Sequence, residues 1–144
     1  MLRINLIGPW IFCVECAKRM LENPGKEKAI IWVTSVSSDM PSINRAGYCI
    51  AKAGASMGVK LLSARLAKEN IPVWEVRPGI IETDMTAKVI KKYKKLAKEG
   101  KIPMLRIGKP DDVAEVVLSL VSGRNKYSTG SIIYVDGGLH LDIL

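Results

Sequence analysis

The chain has no run of apolar residues near the roughly 18 to 20 that a membrane helix requires. Three cysteines among 144 residues cannot build a disulfide framework and suit a reducing compartment, so a cytoplasmic location is expected. Arg3 followed by apolar residues from Ile4 loosely imitates a signal peptide, but Asn5, Pro9 and Glu15 interrupt the run. Cys13 and Cys16 form a Cys-x-x-Cys without a second pair or a histidine, so no metal site is expected and the thiols read as helix packing. His140, the only histidine, reads as a tail residue. No two of the 12 glycines are separated by a single residue. That spacing excludes a Gly-x-Gly-x-x-Gly turn, the usual cradle for a dinucleotide pyrophosphate at a helix N-terminus.

What is present describes a globular chain: 48% hydrophobic residues, 25% charged and a length suited to one domain. The net charge of +8 is concentrated. Lys88, Lys91, Lys92, Lys94, Lys95, Lys98 and Lys101 face one acid, Glu99, within that window. Three readings stand for this cluster: a solvated helix face, a docking surface for an acidic or phosphate-bearing partner, and nucleic-acid binding. The last lacks interleaved aromatics or a binding motif, and no nucleic-acid partner is expected.

Helical and strand-like patterns alternate along the chain, the signature of a parallel α/β sheet. A helix is expected from about Asn5 to Asn23, with Phe12, Cys16 and Met20 on one face. The uninterrupted apolar run Ala29 to Val33 suits a parallel strand covered on both sides. A long helix from about Gly47 to Asn70 is uncharged between Ala53 and Val59, where Gly54 and Gly58 permit close packing, against another subunit among other partners. A second strand covers Val73 to Val76, a lysine-rich helix Thr86 to Glu99, a helix opens at Pro110, and a third strand covers Ser131 to Val135. Three strands are few for a doubly wound sheet, which usually has about five or six.

Tyr48-x-x-x-Lys52 is the most informative local pattern, because i, i+4 spacing stacks both side chains on one helical face. A lysine ammonium there favours the phenolate, tuning the tyrosine for acid–base work on an alcohol or ketone oxygen. Ser35 lies thirteen residues earlier, just past a strand, where open α/β sheets place their ligands.

With these motifs together, the sequence resembles the short-chain dehydrogenase/reductase family. The likeness extends through Asn5-Leu6-x-Gly8, Arg77-Pro78-Gly79 through Thr83-Asp84-Met85, Arg106-x-Gly108-x-Pro110 and Thr129-Gly130 through Asp136-Gly137-Gly138. The resemblance implies the C-terminal part of a Rossmann-like doubly wound parallel sheet. Residues 1–144 would form a single incomplete domain without the N-terminal dinucleotide-binding half, and residues 84 to 108 would form a substrate lid. It implies that Tyr48 donates and accepts the proton, that Ser35 hydrogen-bonds the reacting oxygen, that Lys52 lowers the tyrosine pKa and holds the nicotinamide ribose, and that Tyr48 and Lys52 both belong to the cofactor-binding set. Asn5 would anchor a proton-relay water, and Pro78, Gly79, Ile81 and Thr83 would receive the carboxamide. The implied activity is NAD- or NADP-dependent interconversion of a ketone and a secondary alcohol, as in members similar to 3-oxoacyl-[acyl-carrier-protein] reductases. The substrate would be a small or carrier-bound carbonyl, with weak cofactor affinity because the glycine-rich turn is absent. The family's subunit contacts imply a homo-oligomer, a dimer or tetramer. A non-catalytic chain that keeps the oligomer-forming half is the rival reading.

Overall fold

The computed structural model describes residues 1–142; the last two residues of the expected 1–144 domain lie outside them. Three strands, β1 (Ile30–Val33), β2 (Val73–Pro78) and β3 (Ile132–Val135), form one parallel sheet in the order β1-β2-β3. Val33 pairs with Val76, and Arg77 with Tyr134. Helix α1 (Gly8–Glu22) and helix α2 (Ala46–Leu66) cover one face. Helix α4 (Pro110–Val121) covers the other, and α3 (Ile90–Leu96) belongs to the excursion between β2 and α4.

Alternation along β2 feeds both layers. Val73 packs with Ile30, Trp32, Ala55, Val59 and Leu62, whereas Trp74 and Val76 pack with Leu120. The expected Gly54–Gly58 packing is present. A Cβ on Gly54 would lie 2.9 Å from Leu6 Cδ2, and one on Gly58 would lie 3.1 Å from Trp10 Cε3. Small residues therefore let the first helix and α2 approach closely.

Two sequence expectations need correction. The first helix begins earlier than Asn5, with a wide π turn over Arg3–Ile7, and its buried stripe is Leu6, Trp10, Cys13, Ala17 and Met20. Phe12 points outward and is 69% exposed. The helix carries apolar residues on two sides, so a single i, i+4 series did not identify the inner one. The lysine-rich segment is also broken: a 3₁₀ stretch Asp84–Val89, then α3, then a wide turn Ala97–Lys101 with Gly100 at φ 86°. Thr86 accounts for the tight start, because its Oγ1 accepts from the Thr83 amide at 2.9 Å and lies 2.8 Å from the Ile81 carbonyl oxygen.

This excursion returns to its own stem. Gly108 donates to the Ile80 carbonyl at 2.9 Å, and Glu82 donates to the Gly108 carbonyl at 2.9 Å. Ala97, Ile102 and Ile107 form a small core with Ile80, Ile90 and Tyr93, closed by Leu139 from the segment after β3. No helix among the described residues is long and apolar enough to cross a membrane.

Candidate active site

The loop after β1, which carries Ser35, packs against the start of α2, which carries Tyr48 and Lys52; no hydrogen bond among the described residues joins Ser35 to Tyr48. Ser35 follows β1 with an extended backbone and caps a short 3₁₀ turn, its Oγ accepting from the Ser37 amide at 3.1 Å. Tyr48 and Lys52 lie on the first turns of α2, as their spacing requires. The Lys52 ammonium stands 5.5 Å from the Tyr48 ring centroid, and the Arg45 guanidinium stacks 4.3 Å from it. Burial pushes the Lys52 pKa down, against an opposing pull from the Glu75 charge. No carboxylate among the described residues forms a salt bridge with Lys52, so its donors remain available.

The serine loop is tied directly to this helix: Ser38 Oγ donates to the Lys52 carbonyl at 3.2 Å. Asn5 is not joined to them by a hydrogen bond. Its amide donates to the Met1 carbonyl at 3.2 Å, with the Met1 sulfur at the same distance. Pro78 and Gly79 end β2, and Gly79 donates to the Val135 carbonyl at 3.0 Å. A Cβ on Gly79 would sit 2.6 Å from Asp136 Cβ, so only glycine lets the two loops cross here. Ile81 bridges Gly108 at the stem of the excursion, and Thr83 is exposed beyond it.

Sequence reasoning missed the polar cluster beneath this site. Glu75 and Arg77 share the α2-facing side of β2 and are 0% and 5% exposed. Arg77 Nε donates to Glu75 Oε1 at 2.7 Å, Thr34 Oγ1 donates to Oε1 at 2.5 Å, and Ser56 Oγ donates to Oε2 at 2.7 Å. Arg77 also reaches Asp39 at 2.5 Å and the Tyr134 hydroxyl at 2.6 Å, and that hydroxyl donates to Asp39. Burial and the Asp39 contact hold the Tyr134 pKa above its usual range, although Arg77 opposes them. The available signal was a pair of opposite charges at i, i+2 inside an otherwise apolar parallel strand.

His140 also departs from expectation. It stacks on Tyr134 with centroids 3.8 Å apart, and its Nδ1 lies 2.7 Å from Asp136 Oδ2. Asp136 accepts backbone bonds from Gly138 and His140, and this fixes the ring over Tyr134. Cys13, Cys16 and Cys49 are half-buried free thiols, and no metal-binding cluster occurs among the described residues.

A three-stranded parallel sheet carrying a serine after one strand and a Tyr-x-x-x-Lys helix beside it is part of a Rossmann-like reductase fold. A family model described as enoyl-(acyl carrier protein) reductase matches residues 1–140. The chain belongs to the short-chain dehydrogenase/reductase family. It is 36% identical over 138 residues to the 3-oxoacyl-[acyl-carrier-protein] reductase FabG of Aquifex aeolicus, covering 96% of this chain and 54% of that protein. It is also 36% identical over 140 residues to carbonyl reductase family member 4 of Danio rerio, covering 97% and 55%. The crystal structure of 3-oxoacyl-[acyl-carrier protein] reductase from Brucella melitensis in complex with NAD superposes with a TM-score of 0.97 at 43% identity, covering 100% of this chain and 58% of that one. This chain thus spans about half the length of the relatives it matches.

A nicotinamide cofactor fits these residues in part. Lys52 offers unpaired donors beside Tyr48, but the sequence contains no glycine-rich turn for the pyrophosphate.

The buried pair makes a stability prediction. Arg77→Met leaves Glu75 without its cationic partner and is expected to cost about 3–5 kcal/mol in urea denaturation. Arg77→Met combined with Glu75→Gln is expected to recover most of that loss, since no buried charge is then left unpaired.

Proposed function

We propose that the chain contributes the acid–base machinery for an NAD- or NADP-linked interconversion of a ketone and a secondary alcohol. The observation that carries this reading is the half-buried, unpaired Lys52 ammonium beside Tyr48, with the Ser35 loop fastened to the Lys52 carbonyl. Nicotinamide, when bound, supplies or accepts the hydride. Tyr48 transfers the proton at the substrate oxygen, Ser35 hydrogen-bonds that oxygen, and Lys52 holds the nicotinamide ribose and favours the phenolate. Asn5 serves the proton path, and the segment with Pro78, Gly79, Ile81 and Thr83 receives the carboxamide.

The substrate is a small or acyl-carrier-bound carbonyl, by analogy with relatives named for 3-oxoacyl-carrier reduction. All seven lysines between Lys88 and Lys101 are exposed on the excursion over residues 84 to 108, a surface complementary to an acidic carrier. Three unpaired thiols support a cytoplasmic setting.

An assembly role is the second reading, and the outer helix faces favour it. Ile4, Ile11, Phe12, Ile50, Met57 and Leu61 are each more than half exposed. Beside them runs an apolar groove of about 460 Å³ lined by Trp10, Val14, Leu21 and Leu66. A second copy of the chain covers this face in a homo-oligomer.

Reduction of a β-ketoester with NADH or NADPH tests the catalytic reading. Tyr48→Phe is expected to lower turnover by at least ~100-fold while leaving the fold intact, because the transferable proton is lost; unchanged turnover rejects the role. Calorimetric titration is expected to show weak binding of either nucleotide, and tight binding would reveal another berth for the phosphates. Sedimentation should give a mass above that of one chain, with Phe12→Glu shifting it toward the monomer. A monomeric parent chain would remove the assembly reading.

A further inference from the structure

Ser35 and Lys52 come from different elements, and one buried carboxylate is bonded to a neighbour of each, Thr34 and Ser56. Thr34 precedes Ser35 in the loop and its hydroxyl donates to Glu75 Oε1 at 2.5 Å, while Ser38 Oγ lies 3.4 Å from the same oxygen and gives its one proton to the nearer Lys52 carbonyl. Ser56, one helical turn beyond Lys52, donates to the other oxygen at 2.7 Å. Glu75 itself is fully buried in the central strand, where a shift of its carboxylate would break several bonds at once. Arg77 completes the frame by binding both Glu75 and Asp39, the residue just beyond the 3₁₀ turn.

We propose that Glu75 is a positioning residue for the reductase site: its carboxylate holds the Ser35 loop in fixed register with the helix carrying Tyr48 and Lys52. This rests on the oxidoreductase reading but adds a residue that touches neither substrate nor cofactor. Each oxygen has a distinct task. Oε1 collects Thr34 and Arg77 Nε, and Oε2 collects Ser56, with Arg77 more distant at 3.4 Å. An apolar residue here could fill the space but could not specify the loop's position along α2. Misplacement of a reacting group by about 1 Å can cost ~100-fold in rate.

Thr34→Val removes the loop's hydroxyl at nearly constant shape, and Thr34→Ser retains it. Amide hydrogen exchange in the full chain is expected to quicken about tenfold at Ser37, Ser38 and Met40 in Thr34→Val. Exchange at Val59, within α2, should stay unchanged, and Thr34→Ser should restore the parent loop rates. Adding Thr34→Val to Glu75→Gln should produce little further change, because both act on one contact. Where turnover is measured, Thr34→Val is expected to lower kcat about tenfold with KM unchanged.

Loop rates that do not move in Thr34→Val overturn the proposal. So do loop and Val59 rates that rise together, which would show general destabilisation, or fully additive effects in the double variant. Absence of turnover in the parent chain would reject the reductase reading alone, and the exchange comparison would still decide the role of Glu75.

Discussion

A carboxylate and a guanidinium buried side by side on the middle strand constrain everything around them. A charge removed from water costs several kcal/mol unless paired and hydrogen-bonded. Glu75 meets that demand with donors from β1's loop, α2 and its own strand, and Arg77 meets it with acceptors on β2 and the β1 loop together with the Tyr134 hydroxyl. The elements cannot shift independently without leaving one of these groups unsatisfied. An ion pair of this kind need not add stability over a hydrophobic replacement. Its consequence is geometric, because in this arrangement every one of these donors and acceptors is bonded across β1's loop, α2, β2 and β3.

The network reaches further than the site. Arg77 and Asp39 meet at the Tyr134 hydroxyl on β3, Tyr134 stacks on His140, and His140 is held by Asp136. Asp136 in turn presses against Gly79, at the end of β2. The chain of contacts thus closes on the segment that follows β2, where the resemblance puts the carboxamide. Small residues do the corresponding work on the helix side, with Gly54 against Leu6 and Gly58 between Trp10 and Trp32. Polar bonds determine the direction of the loops and close packing determines the separation of the layers.

The sheet and the Tyr48–Lys52 pair were legible because both depend on local pattern. β1 appears as an unbroken apolar run, although Val33 at its end is 45% exposed and not covered on both sides as expected; β2 remains mostly apolar around Glu75 and Arg77, and helical periodicity alone puts residues 48 and 52 together. The inner stripe of the first helix was not legible, because Ile4, Ile11 and Phe12 make its outer face apolar as well. Glu75, Arg77, Asp39 and Tyr134 lie 2 to 95 residues apart along the chain, and their association follows only from strand register and the path of the β1 loop. His140 was misread for the same reason: its partners are supplied by a turn and a strand side chain, not by a motif. Ser35 fell between these cases. The end of a strand identified its position, but the contacts that hold it were tertiary.

The lysine-rich excursion stands apart from this network in its physics. Its stem is closed by backbone bonds between Ile80, Glu82 and Gly108, and Arg106 grips Asp112 through two bonds of 2.8 Å. That grip, with the Lys109 amide, holds the Asp112 carboxyl well below the usual carboxylate range. Its core of Ala97, Ile102 and Ile107 is separate from the two cores against the sheet. Exposed pairs such as Lys94–Glu82 at 2.6 Å contribute little to stability, so the outward charge can vary without disturbing the fold. The exposed basic surface and the proposed serine–tyrosine–lysine set thus sit on different elements, but the excursion also leans on the turn that holds Asp136 and His140: Met104 donates to the Gly137 carbonyl at 3.1 Å, and Leu139 packs on Ala97, Ile102 and Ile107. A change of outward charge on the lysines can be accommodated without altering that contact.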